Sequence, residues 1–191
     1  LKIFCATSLL FPLEKVEDDF EETHPNVNVE IEGHGSIQVI RHVTDIGEKV
    51  DVLLVADYSL IPRMMYPTKM PNDDESFADY YVRFATNELV LAYADSSKYA
   101  DEINADNWYS ILARPDVTLG LGNPQVATIG YSGLAAIQLA ENFYGVQSLF
   151  QDLITANIEP PITSLRDGAN HTITVPETQN PVGEKLKLRS S

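Results

Sequence analysis

The sequence predicts an α/β fold of parallel, doubly wound sheets divided between two lobes. Three observations predict it. The first 55 residues alternate between the two-residue period of strands and the 3.6-residue period of helices. The same alternation resumes after residue 105. Between the two stretches lies an extended run that is too long for one strand of the usual length, about five or six residues.

The elements follow in order. Residues 2–6 are a short apolar strand, and residues 9–22 place Leu9, Leu13, Val16 and Phe20 on one helical face. Glu14, Glu17, Asp18, Glu21 and Glu22 lie opposite, and Pro12 suits the first turn. Thr23-His24-Pro25-Asn26 is a turn, after which Val27, Val29 and Ile31 alternate with Asn28, Glu30 and Glu32 as a strand does. Gly33-His34-Gly35-Ser36 leads to a second helix with Ile37, Ile40, Val43 and Ile46 facing inward, and Gly47 ends it. Residues 50–55 read as a third strand, apolar enough to be buried on both faces. The β-α-β-α-β order implies a parallel sheet with right-handed crossovers.

Residues 66–79 are rich in Pro, Asn and Asp and form a long connection. Residues 81–93 are the extended run, expected to cross between the lobes and act as a hinge. The first lobe is therefore assigned to 1–82 and the second to 83–191. In the second, helices are predicted at about 105–113, 130–144 and 147–155, and strands at 117–121, 172–175 and 185–189. The helix at 130–144 carries Leu134, Ile137, Leu139, Ala140 and Phe143.

Composition narrows the function classes. With 44% hydrophobic residues the chain can build real cores. A net charge of −15 argues against nucleic-acid and anionic-lipid partners, since no basic stripe tracks phosphates. It does not exclude a small anion, because exposed charges are screened beyond roughly 8 Å and the local site decides. The single cysteine, Cys5, excludes an internal disulfide framework and a multi-thiolate zinc site; its apolar surroundings predict a buried thiol. No apolar stretch reaches the roughly 18–20 residues of a membrane span. The strand-like start is what a chain trimmed of its export leader would show, and the Asn170-His171-Thr172 sequon is compatible with export.

The chemistry lies in where small polar residues fall. Thr7-Ser8 joins the first strand to the first helix, and Gly35-Ser36 joins the second strand to the second helix. In a parallel sheet both junctions share the C-terminal edge, where open α/β folds bind ligands. Each offers unpaired backbone N–H groups, a positive helix end and a hydroxyl. Gly33 and Gly35 would let a ligand approach the backbone. A third junction of the same form runs from Gly122-Asn123-Pro124 to Thr128-Ile129-Gly130-Tyr131. Such donors suit a fully ionised oxyanion without Arg or Lys. Each serine also fits a plain N-cap, worth about 1 kcal/mol.

Enzyme motifs are missing: there is no nucleophile elbow, phosphate loop or dinucleotide fingerprint. His34 and His42, eight apart, are the one histidine pair with any suggestive spacing. His34 reads as a loop histidine near the binding edge or as a base. Asp57 and Tyr58 either line the same edge or cap the next turn.

Longer stretches carry a resemblance. Lys2-Ile3-Phe4-x-Ala6-x-Ser8-Leu9, His24-Pro25-Asn26-Val27, Gly35-Ser36-Ile37 and Ala56-Asp57-Tyr58-Ser59-Leu60-Ile61-Pro62 resemble the archaeal molybdate/tungstate-binding proteins. So do Tyr81-Val82-Arg83-Phe84-Ala85-x-Asn87-Glu88, Lys98-Tyr99-Ala100-Asp101-Glu102-Ile103, Asn107-Trp108-Tyr109 and Gly130-Tyr131. The resemblance implies a two-lobed type II periplasmic-binding-protein fold that closes on molybdate or tungstate and delivers it to an ABC permease. It implies an extracytoplasmic, monomeric protein, secreted or membrane-tethered, with no catalysis, no cofactor and no free metal ion. Ser8 and Ser36 fall on the family's two oxyanion-binding serines, and Thr128 and Tyr131 are further candidates.

Two departures stand out. The family's acidic ligand in Asn-Pro-Asn-Leu-Asp-Pro-Cys-Gly-Tyr is Ala127 here, which points to tetrahedral rather than six-fold coordination. The chain also stops soon after the strand at 185–189, where relatives continue, so a fragment missing its C-terminal part and exposing apolar surface is expected. The alternatives are a binding protein or sensor domain of the same fold for another small anion or carboxylate, and a hydrolase or transferase using His34 or Asp57.

Overall fold

A computed structural model of the chain describes residues 1–168 and 170–189. The chain divides into two compact units. Among the described residues, the first comprises 1–86 with 126–128, and the second comprises 87–125 and 129 to 189.

The first unit is built on three parallel strands in the order β2-β1-β3: β1 (Lys2–Ala6), β2 (Glu30–His34) and β3 (Val52–Leu54). Phe4 pairs with Glu32 on one side and Leu53 on the other. As the middle strand, β1 buries Phe4, Cys5 and Ala6. Burial pushes the Cys5 thiol above its ordinary pKa, as fits the buried cysteine expected. One face of the sheet packs Phe4 against Val39, Ile40 and Val43 of the second helical segment and against Leu60, Ile61 and Met65.

The helices differ from expectation in instructive ways. Helix α1 (Thr7–Thr23) starts two residues early, so Pro12 sits at its sixth position instead of in the first turn. Having no N–H, Pro12 leaves the Ser8 carbonyl without its usual i+4 amide. No residue of α1 is fully buried, and although Leu9 and Leu13 are partly covered, Val16 and Phe20 are exposed. Length explains this: seventeen helical residues span about 25 Å, whereas five strand residues span about 17 Å. The outer turns of α1 overhang the sheet. Helix α2 (Ser36–Arg41) widens into a π turn over His42–Ile46. Gly47 closes that turn at φ +80°, in the left-handed region that glycine enters without penalty. Ile46, expected inside, is exposed. The third strand shrinks to three residues at the sheet's edge, with Val52 exposed, so it is not buried on both faces.

Residues 81–93 carry no regular structure and are exposed; among the described residues no strand pairs with them. An extended segment needs a partner for its backbone groups before it counts as a strand.

In the second unit α3 (Trp108–Ala113) leads to β4 (Leu119–Gly122), α4 (Thr128–Tyr144) and α5 (Leu149–Leu153). Four short strands follow: β5 (Ile158–Glu159), β6 (Thr163–Asp167), β7 (Asn170–Thr174) and β8 (Asn180–Pro181). Last comes β9 (Leu186–Arg189), which pairs in parallel with β4. β5 pairs antiparallel with β8, and β6 with β7. Leu119, Leu121, Leu134, Ile137, Leu153 and Leu186 centre the core. Gly130 permits the close approach of α4 to the end of β4, since a Cβ there would lie 2.5 Å from the Gly122 carbonyl oxygen.

Candidate functional site

All three strands of the first unit end on one edge, and each is followed by a junction: Thr7-Ser8 after β1, Gly35-Ser36 after β2 and Val55-Ala56 after β3. Register brings the first two together, because Ala6 pairs with His34.

The serines are not N-caps. The cap residues are Ala6 and Gly35, both with extended backbones, and neither helix start has a side-chain cap bond. Ser8 and Ser36 lie one position or more inside their helices, where a hydroxyl no longer reaches the N2 or N3 amide in the capping geometry. Ser36 is buried, and its Oγ accepts the Ala56 N–H at 3.0 Å. That bond ties the second junction to the third and occupies one lone pair, while the hydroxyl proton can still donate. Ser8 is exposed on the first turn of α1. The edge thus offers a fixed hydroxyl and an exposed one beside two helix starts.

The glycine reading needs correction at one position. A Cβ on Gly33 would meet Leu10 Cδ2 at 3.3 Å, so this glycine serves the close packing of α1 on β2 and its open face is already filled. Asp57 turns toward capping: its Oδ1 accepts the Ser59 N–H at 2.9 Å, and its carbonyl accepts the Leu60 N–H. Tyr58 stacks on Tyr81 and lies under the Arg83 guanidinium at 4.6 Å. His34 is the last residue of β2, and its Nε2 lies 2.8 Å from Glu32 Oε1. A base poised toward either serine is not what that contact shows.

Thr128 opens α4 and groups with the first unit, whereas Tyr131, one turn on, groups with the second. Both are half-buried and both have interaction partners. Ala127 is buried, and Asn123 Oδ1 holds the turn before it by accepting the Gln125 N–H at 2.9 Å.

A hollow of about 550 Å³ in the second unit is a different place. Leu89, Leu91, Trp108, Leu121, Ile137 and Tyr144 line it. An apolar wall of this kind offers an oxyanion too few donors to replace its hydration, so the hydroxyl-bearing edge is the better candidate.

Residues 1–183 match the family model of the bacterial extracellular solute-binding proteins. The chain belongs to that family. It is 43% identical over 173 residues to a solute-binding protein of Methanoculleus marisnigri, covering 91% of this chain and 46% of the relative. It is 39% identical over 167 residues to one of Petrotoga mobilis, covering 85% and 50%. A molybdate/tungstate-binding protein, WtpA of Pyrococcus abyssi, is 41% identical over 167 residues, covering 83% of this chain and 46% of WtpA. The chain spans about half the length of the curated relatives it matches. The chain has a mixed α/β fold with parallel strands, and the family it belongs to is one of solute-binding proteins. Among the described residues no helix is long and apolar enough to cross a membrane.

Proposed function

We propose that this chain captures a tetrahedral oxyanion, molybdate or tungstate, outside the cytoplasm for delivery to an ABC permease, with Ser8 and Ser36 donating to the ligand. The observation that carries the proposal is the pair of serine hydroxyls on one sheet edge, neither used as a helix cap. Ser36 is also held in place by the Ala56 amide. Similarity to WtpA supports the choice of anion. Thr128 and Tyr131 are proposed as further donors, within a two-lobed type II fold.

Ala127 shapes the chemistry expected. A methyl group cannot ligate a metal centre, so the anion would be bound through its oxygens in tetrahedral form. Selection would then follow size and donor geometry. Sulfate and phosphate become meaningful competitors, which the resemblance alone does not suggest.

A thermal-shift series with molybdate, tungstate, sulfate and phosphate tests the proposal. A ligand that binds only the folded chain stabilises it by about 2.7 kcal/mol at a hundredfold excess over Kd. A shift with molybdate or tungstate that disappears in Ser8→Ala and in Ser36→Ala is the expected result. A shift that survives both substitutions would remove the serines from the site, and no shift with any of the four anions would sink the proposal.

A further inference from the structure

A second group of side chains lies outside the oxyanion reading. Glu32 and His34 are two apart on β2 and therefore point to the same face. His42, in the π turn after α2, reaches that face as well. One donor atom from each of the three residues lies within 4.8 Å of the other two. The imidazoles of His34 and His42 are 5.1 Å apart between ring centres, and Phe4 meets the His42 ring edge-on. β2 is an edge strand, so the cluster has an open approach from solvent. Glu32 is the most exposed of the three side chains and His42 the least, at 46% and 20%.

We propose that Glu32, His34 and His42 bind a divalent transition-metal ion of the zinc class, with Glu48 orienting His42. Two imidazoles and a carboxylate are a donor set that zinc accepts, with a fourth position left for water. Hard ions such as magnesium or calcium prefer all-oxygen sites and are poorly served. A tetrahedral ion holds its donors about 3.4 Å apart, so rotamer adjustments of roughly 1 Å complete the cage.

One further feature favours a ligand over a chance cluster. His42 Nδ1 lies 3.1 Å from Glu48 Oε1, off the line of a good hydrogen bond but within ion-pair reach. A carboxylate beside one ring nitrogen favours the proton there and leaves the other lone pair available to a metal, as in carboxylate–histidine–zinc arrangements. Lys2 is the opposing group: its Nζ lies 3.1 Å from Glu48 and 4.0 Å from Glu32. The ion would take over part of the charge compensation that this ammonium supplies. The π turn has a role in this arrangement, since widening the helix after Arg41 brings His42 over Phe4 and toward β2.

Zinc titration of the full 191-residue chain in phosphate-free buffer, without molybdate or tungstate, tests the site by calorimetry. One ion per chain is expected, with cobalt(II) competing and giving the visible absorption of a tetrahedral site. His34→Asn and His42→Asn should each weaken binding more than tenfold. Glu48→Gln keeps all three ligands and should weaken it roughly 10–100-fold. Zinc should also protect His34 and His42, but not His24, from imidazole acylation in the unaltered chain, a readout that needs no variant to fold. Unchanged zinc affinity in the two histidine variants would overturn the proposal. So would equal acylation of all the histidines with and without zinc, or displacement of zinc by magnesium. None of these outcomes touches Ser8 or Ser36.

Discussion

The Ala56 amide donates to Ser36 Oγ at 3.0 Å, joining the loop after β3 to the start of α2. The bond gives Ser36 a structural duty as well as its proposed ligand contact. Ser36→Ala is therefore expected to cost about 1 kcal/mol of stability, the low end of the range for a lost acceptor, because water can reach the exposed Ala56. Ser8 is exposed, and Ser8→Ala should stay within about 0.5 kcal/mol of the parent. Urea unfolding of the two variants checks the contrast. Ser8→Ala is the cleaner probe of anion binding.

Lys185 enters the second unit's core region to donate through Nζ to the carbonyl oxygens of Leu112, at the end of α3, and Arg114. Burial lowers its pKa from the ordinary lysine value. The unfolded chain thus holds this proton more tightly than the folded one. In the alkaline window between the lowered value and the ordinary one, stability from this group rises with pH. Lys185→Met should remove that rise and cost about 1–3 kcal/mol by leaving two carbonyls without their donor. Unfolding midpoints measured from neutral to alkaline pH read both effects.

Asp116 titrates in the opposite sense. The hydrogen bond from Lys98, aided by one from Tyr99, lowers its pKa below the ordinary carboxylate value. Its contribution is present above the unfolded value and is lost as the pH falls through the folded one. Asp116→Asn should therefore narrow the stability difference from the parent as acid is added. High salt should shrink the difference at every pH, because the pair is exposed.

Gly130 tests the junction of β4 and α4. A Cβ there would lie 2.5 Å from Gly122 O, 2.6 Å from Pro124 N and 2.7 Å from Asn123 C, all of them backbone atoms that cannot swing aside. Gly130→Ala should cost about 1–3 kcal/mol or more. Gly120→Ala, with nothing within 4 Å of its Cβ, is the control and should be neutral or slightly stabilising. Equal melting temperatures for the two variants would contradict the packing described.

The sequence carried most of the first unit. Periodicity located β1, β2, α1 and α2 because each has enough residues for its pattern to show, and junction residues such as Ser8 and Ser36 follow from those boundaries. Val50–Val55 misled because apolar composition signals burial only when neighbouring strands and helices cover both faces. The 81–93 run, too long to read as one strand, has no regular structure, because extended propensity does not supply a pairing partner. Ser36's tie to Ala56 spans twenty residues and leaves no local signature. Glu32 went unnoticed beside His34, although the Glu-x-His spacing on a strand was signal enough to place both on one face. The His42 contribution depended on a π turn, which periodicity does not reveal.

The overhang of α1 divides that helix into two regimes of motion. Its first turns, bearing Ser8, are braced where Leu10 fills the space over Gly33. Its last turns rest on less: the Glu21 carboxylate accepting the Val29 amide at 2.6 Å, and the stacking of His24 on Phe20. Opening of the outer turns therefore requires little buried surface to be given up and can proceed without disturbing the sheet. Amide hydrogens along this one helix should exchange in a gradient, slowest near Leu13 and fastest near Glu22, so that the end holding the proposed anion donor stays ordered while the far end frays.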